Sequence, residues 1–232
     1  LNKMNVRIAV TKVSPLCGRH KYKPSRELLI KIARLCAGYK QHTNKVFARV
    51  ESDLRNSSLC SWFCNSKIIS NKMRMIARTA VNKAYARHGC REYKSWFYNF
   101  FHKQRGIIQE EMAIRSYEKF TNCKLLDKQK LVRIHSDMYT VTGRIDGFSQ
   151  GRCVEVKCRS SNLKEIPVWE LDQLALYCHA LNAPGALVEF NNGRLRVTEY
   201  TASFLAKRAS VLLGILEHKV SEIQQLVKAM KQ

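Results

Sequence analysis

Gly143-Arg144-Ile145-Asp146-Gly147, followed closely by Cys153-Val154-Glu155-Val156-Lys157, is the stretch on which the reading of this chain turns. Apolar and polar residues alternate on either side of Asp146-Gly147 and Gln150-Gly151, two turn signals, so strands joined by a tight connection are expected. Residues two apart on a strand share a face, which places Glu155 and Lys157 side by side. If the strands form a hairpin, the carboxylates of Asp146 and Glu155 converge near its turn end. Together with the backbone carbonyl of Val156 they make an all-oxygen site suited to Mg²⁺ or Mn²⁺. An isolated Glu-x-Lys is ordinarily the solvated polar face of an edge strand. Here it is set in an otherwise apolar strand, after a strand-end Asp-Gly.

Outward from this stretch, Leu131 to His135, Tyr139 to Asp146 and Cys153 to Cys158 read as strands of a meander. Val168 to Leu181 reads as a helix, and Ala186 to Phe190 and Leu195 to Tyr200 as a strand pair around Asn191-Asn192-Gly193. Ser203 to Met230 is a closing helix whose apolar stripe is Leu212, Leu216, Val220, Ile223 and Val227. Upstream, Ile107 to Phe120 is expected as a helix starting just after Gly106, Ser66 to Gln104 as two helices broken near Gly89, and Arg26 to Ala37 as another. The order points to an α/β (α+β) second part, a mixed sheet flanked by helices. A basic, mostly helical region over 1–105 and a core over 106–232 are the expected divisions.

The chain has 232 residues, of which 45% are hydrophobic, enough for a sizeable core. A disordered basic tail or a collagen-like repeat is thereby excluded. Lys and Arg number 41 against 18 acids, for a net charge of +23. Residues 1–109 hold 23 of those bases against 4 acids, while the remainder is nearly balanced. A polyanion is the implied partner, with nucleic acid the first candidate. A membrane surface would need a basic amphipathic helix with lipid-facing aromatics, and no run approaches the length of a membrane span. Lys72, Arg74, Arg78, Lys83, Arg87 and Arg91, followed by Tyr93, Trp96, Phe97, Tyr98, Phe100 and Phe101, suit a surface that tracks phosphates and stacks bases. The 9 cysteines, too sparse for a disulfide scaffold, suggest a reducing intracellular compartment, cytoplasm or nucleus. Leu1 in place of methionine is the start expected of a processed or trimmed chain.

Asp, a short hairpin and then Glu-x-Lys resembles the PD-(D/E)XK nuclease superfamily. Within it the chain is similar to the lambda exonuclease and YqaJ viral recombinase branch. Gly106-x3-Glu110-x2-Ala113-x3-Tyr117 resembles that branch's first motif, and Trp169-Glu170-Leu171-Asp172-Gln173-Leu174-Ala175-Leu176-Tyr177 its glutamine helix. Glu110 rather than Glu111 fits the motif, because Ala113 and Tyr117 share its face. The resemblance covers residues 106 to 200 and implies a restriction-endonuclease-like core. It implies that Asp146, Glu155, Val156 and Glu110 hold the metal, that Lys157 handles the attacking water, and that Gln173 positions Lys157 or the nucleophile. Arg7 and Ser14, followed by Gly18, are similar to an N-terminal segment that holds a DNA 5′-phosphate, although Ala9 and Lys12-Val13 depart from it. Arg144, Arg159 and Lys164, near the catalytic hairpin, are the further candidate DNA contacts.

The activity implied is metal-dependent hydrolysis of DNA, foremost as a 5′-to-3′ exonuclease on duplex ends in viral-type recombination or genome processing. An endonuclease with the same site and an inactive nucleic-acid-binding module of the same fold are the alternatives. Related iron–sulfur nucleases use a cysteine quartet that includes cysteines after the core, whereas no Cys follows Cys178 here. Besides DNA, the branch's ring-shaped trimers make a homo-oligomer a candidate assembly and a single-strand annealing protein a candidate partner. No membrane association is expected.

Overall fold

The computed structural model describes residues 5–19, 25–37, 49, 52–66, 70–87, 94–159, 165–191 and 193–232, with the backbone alone for 71, 85 and 94–103. Its first strand, β1 (Val6–Ala9), buries Val6 and Ile8 and exposes Arg7 and Ala9, the period-two alternation of a half-buried strand. Helices α1 (Val10–Leu16), α2 (Ser25–Cys36), α3 (Ser58–Asn65), α4 (Asn71–Arg87) and α5 (Lys94–Thr121) follow. Then come β2 (Leu131–His135), β3 (Tyr139–Arg144), β4 (Gly147–Ser149), β5 (Arg152–Cys158), α6 (Val168–Leu181), β6 (Gly185–Asn191), β7 (Arg194–Tyr200) and α7 (Ala202–Lys231).

The strands form two mixed sheets rather than one meander. β1 lies parallel to β3, which pairs antiparallel with β2. The second sheet runs β4-β5-β6-β7, with β5 and β6 parallel and the two outer pairings antiparallel. The stretch expected as one strand to Asp146 therefore ends at Arg144, and the chain changes sheets at Ile145-Asp146. Ile145 is fully buried at this crossing, anchoring the change. A parallel pair needs a long crossover, which α6 provides.

Alternation along β5 separates two cores. Val154 and Val156 pack with Ala113, Ile114 and Tyr117 of α5 and with Ala186, Val188 and Phe190 of β6. Cys153 and Leu187 join the larger cluster with Leu174, Leu176 and Tyr177 of α6, Val141 of β3, and Leu205, Leu212 and Leu216 of α7. β5 and β6 are thus covered on both faces, as a parallel pair requires. A third cluster joins Leu54, Cys60, Phe63 and Cys64 to Met73, Ala77, Val81 and Ala84 of α4.

Gly106 does not start a helix: α5 runs through it from Lys94 to Thr121, so the division drawn at 105/106 falls inside one element. A glycine costs a helix about 1 kcal/mol against alanine, which a 28-residue helix that buries Ala113, Ile114 and Tyr117 absorbs. The expected break at Gly89, and Arg91 and Tyr93, lie outside the described residues, as do the side chains of Trp96, Phe97, Tyr98, Phe100 and Phe101. Val168–Leu181 and Leu131–His135 agree with expectation to the residue. The closing helix is capped by Thr201, whose hydroxyl accepts from the Phe204 N–H at 3.3 Å. Among the described residues, no helix is long and apolar enough to cross a membrane.

Candidate active site

β4 is short. It pairs with β5 only from Arg152 to Val154 and leaves the rest of that edge of β5 without a strand partner. Asp146, just before β4, fills part of the gap: its Oδ2 accepts the Val156 N–H at 2.7 Å. The hairpin register places Gly147 opposite Val154, so Asp146 and Glu155 meet at the open end of the hairpin, away from the Gln150-Gly151 turn. The convergence expected near the turn end occurs at the opposite end because β4 begins immediately after Asp146.

Glu155 and Lys157 point to the same face of β5, toward α6, and their side chains form an ion pair. Lys157 Nζ also donates to Gln173 Oε1 at 3.2 Å, and Gln173 Nε2 donates to the Tyr177 hydroxyl at 3.2 Å. The i,i+4 spacing of Gln173 and Tyr177 puts both on one face of α6. From the other side of the sheet, α5 brings Glu110, half-buried, while Glu111 is exposed and paired to Arg115 at 2.5 Å. The helical periodicity that favoured Glu110 over Glu111 thus agrees with their placement.

The carboxylates share an electrostatic environment that resists charge. Burial pushes Glu155 up to about 8, Asp146 and Glu110 add to the rise, and Lys157 opposes it. Asp146 is raised by burial against the pull of the Val156 N–H and Lys157. Glu110 is raised by burial and then by Asp146. Burial disfavours the charge on Lys157, yet Glu155 outweighs it and holds the ammonium above its ordinary range. Three acids pushed the same way in one place is a common state of a reaction site. Glu155 is only 2% exposed, and its Oε2 has no hydrogen-bond partner.

Could these residues hold a metal ion? Among the described residues, no three His, Cys, Asp or Glu side chains form a ready cage. Mg²⁺ does not ask for one: it is held by one or two carboxylates, with water and substrate phosphates completing its shell. An unpartnered buried oxygen on Glu155, oxygen donors on Asp146 and Glu110, and an excess of proton affinity that a cation would relieve all fit it.

The remaining candidates are placed differently. Arg7 is exposed on β1. Ser14 is 3% exposed and donates to Asp172 Oδ2 at 2.8 Å, so its hydroxyl serves α6. Arg159 lies between Glu170, at 2.7 Å, and Glu189, at 3.0 Å, and its guanidinium is engaged by carboxylates. Arg144 is exposed and donates to the Gln129 carbonyl at 2.9 Å. Lys164 lies outside the described residues.

Sequence reasoning missed Gln129. Its Nε2 reaches Glu110 Oε1 at 3.3 Å, and its side chain also bonds Asp146. Its backbone is left-handed, with φ 59°, an uncommon state for glutamine that is often stored near functional sites. No periodicity marks a loop residue of this kind.

No family profile matches the chain, and no curated protein matches it in sequence. Among solved structures, the alkaline exonuclease LHK-Exo from Laribacter hongkongensis is similar with a TM-score of 0.53, at 11% identity, over 98% of this chain and 95% of that one. LHK-Exo in complex with dAMP gives 0.48 at 12% identity, over 97% and 93%. A protein from Eubacterium rectale, provisionally assigned as an exonuclease, gives 0.49 at 14% identity, over 98% and 83%. The chain shares the mixed α/β fold of that alkaline exonuclease.

Proposed function

We propose that this protein is a metal-dependent deoxyribonuclease acting 5′ to 3′ on duplex DNA ends in viral-type recombination or genome processing. The observation that carries the reading is Lys157, held between Glu155 and Gln173 beside Asp146 and Glu110. Asp146, Glu155, Glu110 and the Val156 carbonyl would hold Mg²⁺ or Mn²⁺. Such an ion supplies charge for a phosphoryl oxygen and activates water for attack.

Lys157 holds a positive charge where the phosphate gains negative charge, and its raised proton affinity keeps that charge at neutral pH. Gln173 fixes the direction of Nζ, and Tyr177 fixes Gln173. The Val156 N–H fixes Asp146, so one carboxylate is oriented before any substrate arrives. Arg7 and Arg144 are both exposed and pair with no buried carboxylate among the described residues.

The test is a digestion panel with Mg²⁺ or Mn²⁺: linear duplex with 5′-phosphate or 5′-hydroxyl, single strand, closed circle and RNA. Degradation of linear duplex with the circle intact is expected. Cutting of the circle selects an endonuclease instead, and binding without cleavage selects an inactive module. Lys157→Ala should abolish cleavage while DNA affinity stays within about tenfold, because most phosphate contacts lie elsewhere. Undiminished cleavage by that variant would overturn the mechanism.

A further inference from the structure

Helix α4, Asn71–Arg87, contains no acidic residue and belongs to none of the elements that build the site. Its buried side is Met73, Ala77, Val81 and Ala84, seated on Leu54, Cys60, Phe63 and Cys64. Ala80 packs half-buried against the same cluster, and the other described side chains are exposed and divide into stripes. At about 100° per residue, Lys72, Lys83 and Arg87 fall along one border of the exposed surface, with Ile76 among them. Arg74 and Arg78 fall along the other border. Between the two runs an uncharged stripe at i, i+4, i+7 and i+11: Met75, Thr79, Asn82 and Ala86, all exposed, Met75 at 68%. Among the described residues, none of the five cations is in an ion pair.

A single basic face would suit a helix lying against one phosphate strand. Two basic borders on either side of a neutral stripe suit a helix with phosphates on both sides. The diameter agrees: an α-helix with its side chains is about 10–12 Å across, and the B-form major groove is about 12 Å wide. We propose that α4 enters the major groove of duplex DNA. Lys72, Lys83 and Arg87 take one phosphate backbone, Arg74 and Arg78 take the other, and Met75, Thr79, Asn82 and Ala86 face the base edges.

This rests on the reading of DNA as substrate and deepens it with a second site on the duplex. The chemistry disfavours other polyanions. The major groove of A-form RNA is too deep and narrow for side chains to read. A membrane-surface helix turns an apolar face outward between its charges, whereas this stripe carries Thr79 and Asn82. α4 packs on α5, the helix that carries Glu110, so the grip is joined to the site by one continuous element. Asn82, at mid-helix, is a side chain able to make paired hydrogen bonds to an adenine edge.

The experiment measures binding of the full chain to a 30-base-pair duplex in EDTA, by fluorescence anisotropy across a salt series. Cleavage plays no part in the readout, so failure of the nuclease reading and failure of this one are distinguishable. Each phosphate contact contributes about 0.9 to the salt slope. Lys72→Gln/Lys83→Gln/Arg87→Gln should lower the slope by about 3, and Arg74→Gln/Arg78→Gln by about 2. Asn82→Glu should weaken binding more than tenfold. A duplex with bulky C5-substituted pyrimidines, which fill the major groove, should also bind at least tenfold more weakly, while a minor-groove ligand should have little effect. An unchanged slope for either border, or indifference to the C5 substituents, would overturn the proposal. So would equally tight binding to duplex RNA or to anionic vesicles. The DNA-side arm needs no protein variant and stands even if one of them misfolds.

Discussion

Replacing Asp172 with alanine should destabilise the protein more than any exposed substitution, and the magnitude can be worked from its partners. Asp172 is fully buried on α6. Its Oδ1 accepts from Arg208 Nε of α7 at 2.6 Å, and its Oδ2 accepts from the Ser14 hydroxyl of α1 at 2.8 Å. Arg19 Nε stands 3.1 Å from Oδ2 as an ion pair without an aligned hydrogen bond. Removing one partner of a buried pair costs about 3–5 kcal/mol, because the other charge stays behind uncompensated. Arg208 and Arg19 keep 17% and 28% of their side-chain surface in water, so partial rehydration favours the lower end. Ser14, left without its acceptor, adds about 1 kcal/mol. A total of about 4 kcal/mol at about 2–4 °C per kcal/mol for a chain of this size gives a fall in Tm on the order of 10 °C. Calorimetric melts with urea titrations would measure it. A fall of less than about 3 °C with an unchanged m-value would refute the assignment of Asp172 as the hub joining α1, α6 and α7. Ser14→Ala is the companion measurement. The structure predicts a loss of about 1–2 kcal/mol with no change in preference between 5′-phosphate and 5′-hydroxyl ends.

The remaining expectations concern the site. Glu155 has a raised folded pKa, so its contribution to stability is present at low pH and is lost as pH rises from the ordinary carboxylate range through about 8. Metal-free protein should therefore lose stability across that window, Glu155→Gln should flatten the loss, and Mg²⁺ should restore wild type but not the variant; identical pH curves for the two proteins would refute this. Gly143→Ala would place a Cβ 2.6 Å from Tyr177 Cε1 and 2.9 Å from Val10 Cγ2. It should cost about 1–3 kcal/mol and, by moving Tyr177 off Gln173, lower cleavage as well, so a chemical melt and activity both at wild-type level would count against it. Gln129→Ala should shift the pH profile of cleavage through Glu110 and Asp146, with Gln129→Asn recovering little, because the shorter arm cannot span both; an unshifted profile would remove Gln129 from the site.

Much of the site was legible because its motifs are local. The Glu155 and Lys157 pair follows from strand alternation, whereas Gln173 entered through the resemblance of its helix, and its bond to Tyr177 came only with the packing. The choice of Glu110 over Glu111 came from helical periodicity, and the packing of Ala113 and Tyr117 behind it agrees. Gly106 misled because a glycine's helix penalty is small against the packing of a long helix. β1 was overlooked although Val6 and Ile8 alternate with Arg7 and Ala9, since four residues are too few to distinguish a strand from a loop without the β3 partner. Arg159 and Ser14 were read by nearness to the catalytic stretch and by motif, yet Arg159 sits between Glu170 and Glu189 and Ser14 against Asp172, all buried carboxylates of other elements.

What the sequence determined by itself is which residue types stand where: carboxylates, a lysine and a glutamine as candidates for the site, and a charge gathered ahead of the core. Those depend on residue type and on periods of 2 and 3.6, which operate within one element. Only the tertiary structure decided the rest. It divided the strands between two sheets at Ile145-Asp146, made the Asp146 carboxylate the partner of a backbone N–H that β4 was too short to reach, and brought Gln129 to the acids. It also sorted the arginines, giving Arg159 and Arg208 to buried acids and leaving Arg74 and Arg78 to solvent. The physical reason is common to all of these. A charged side chain cannot be buried without a counter-charge, and which counter-charge it meets is set by long-range packing.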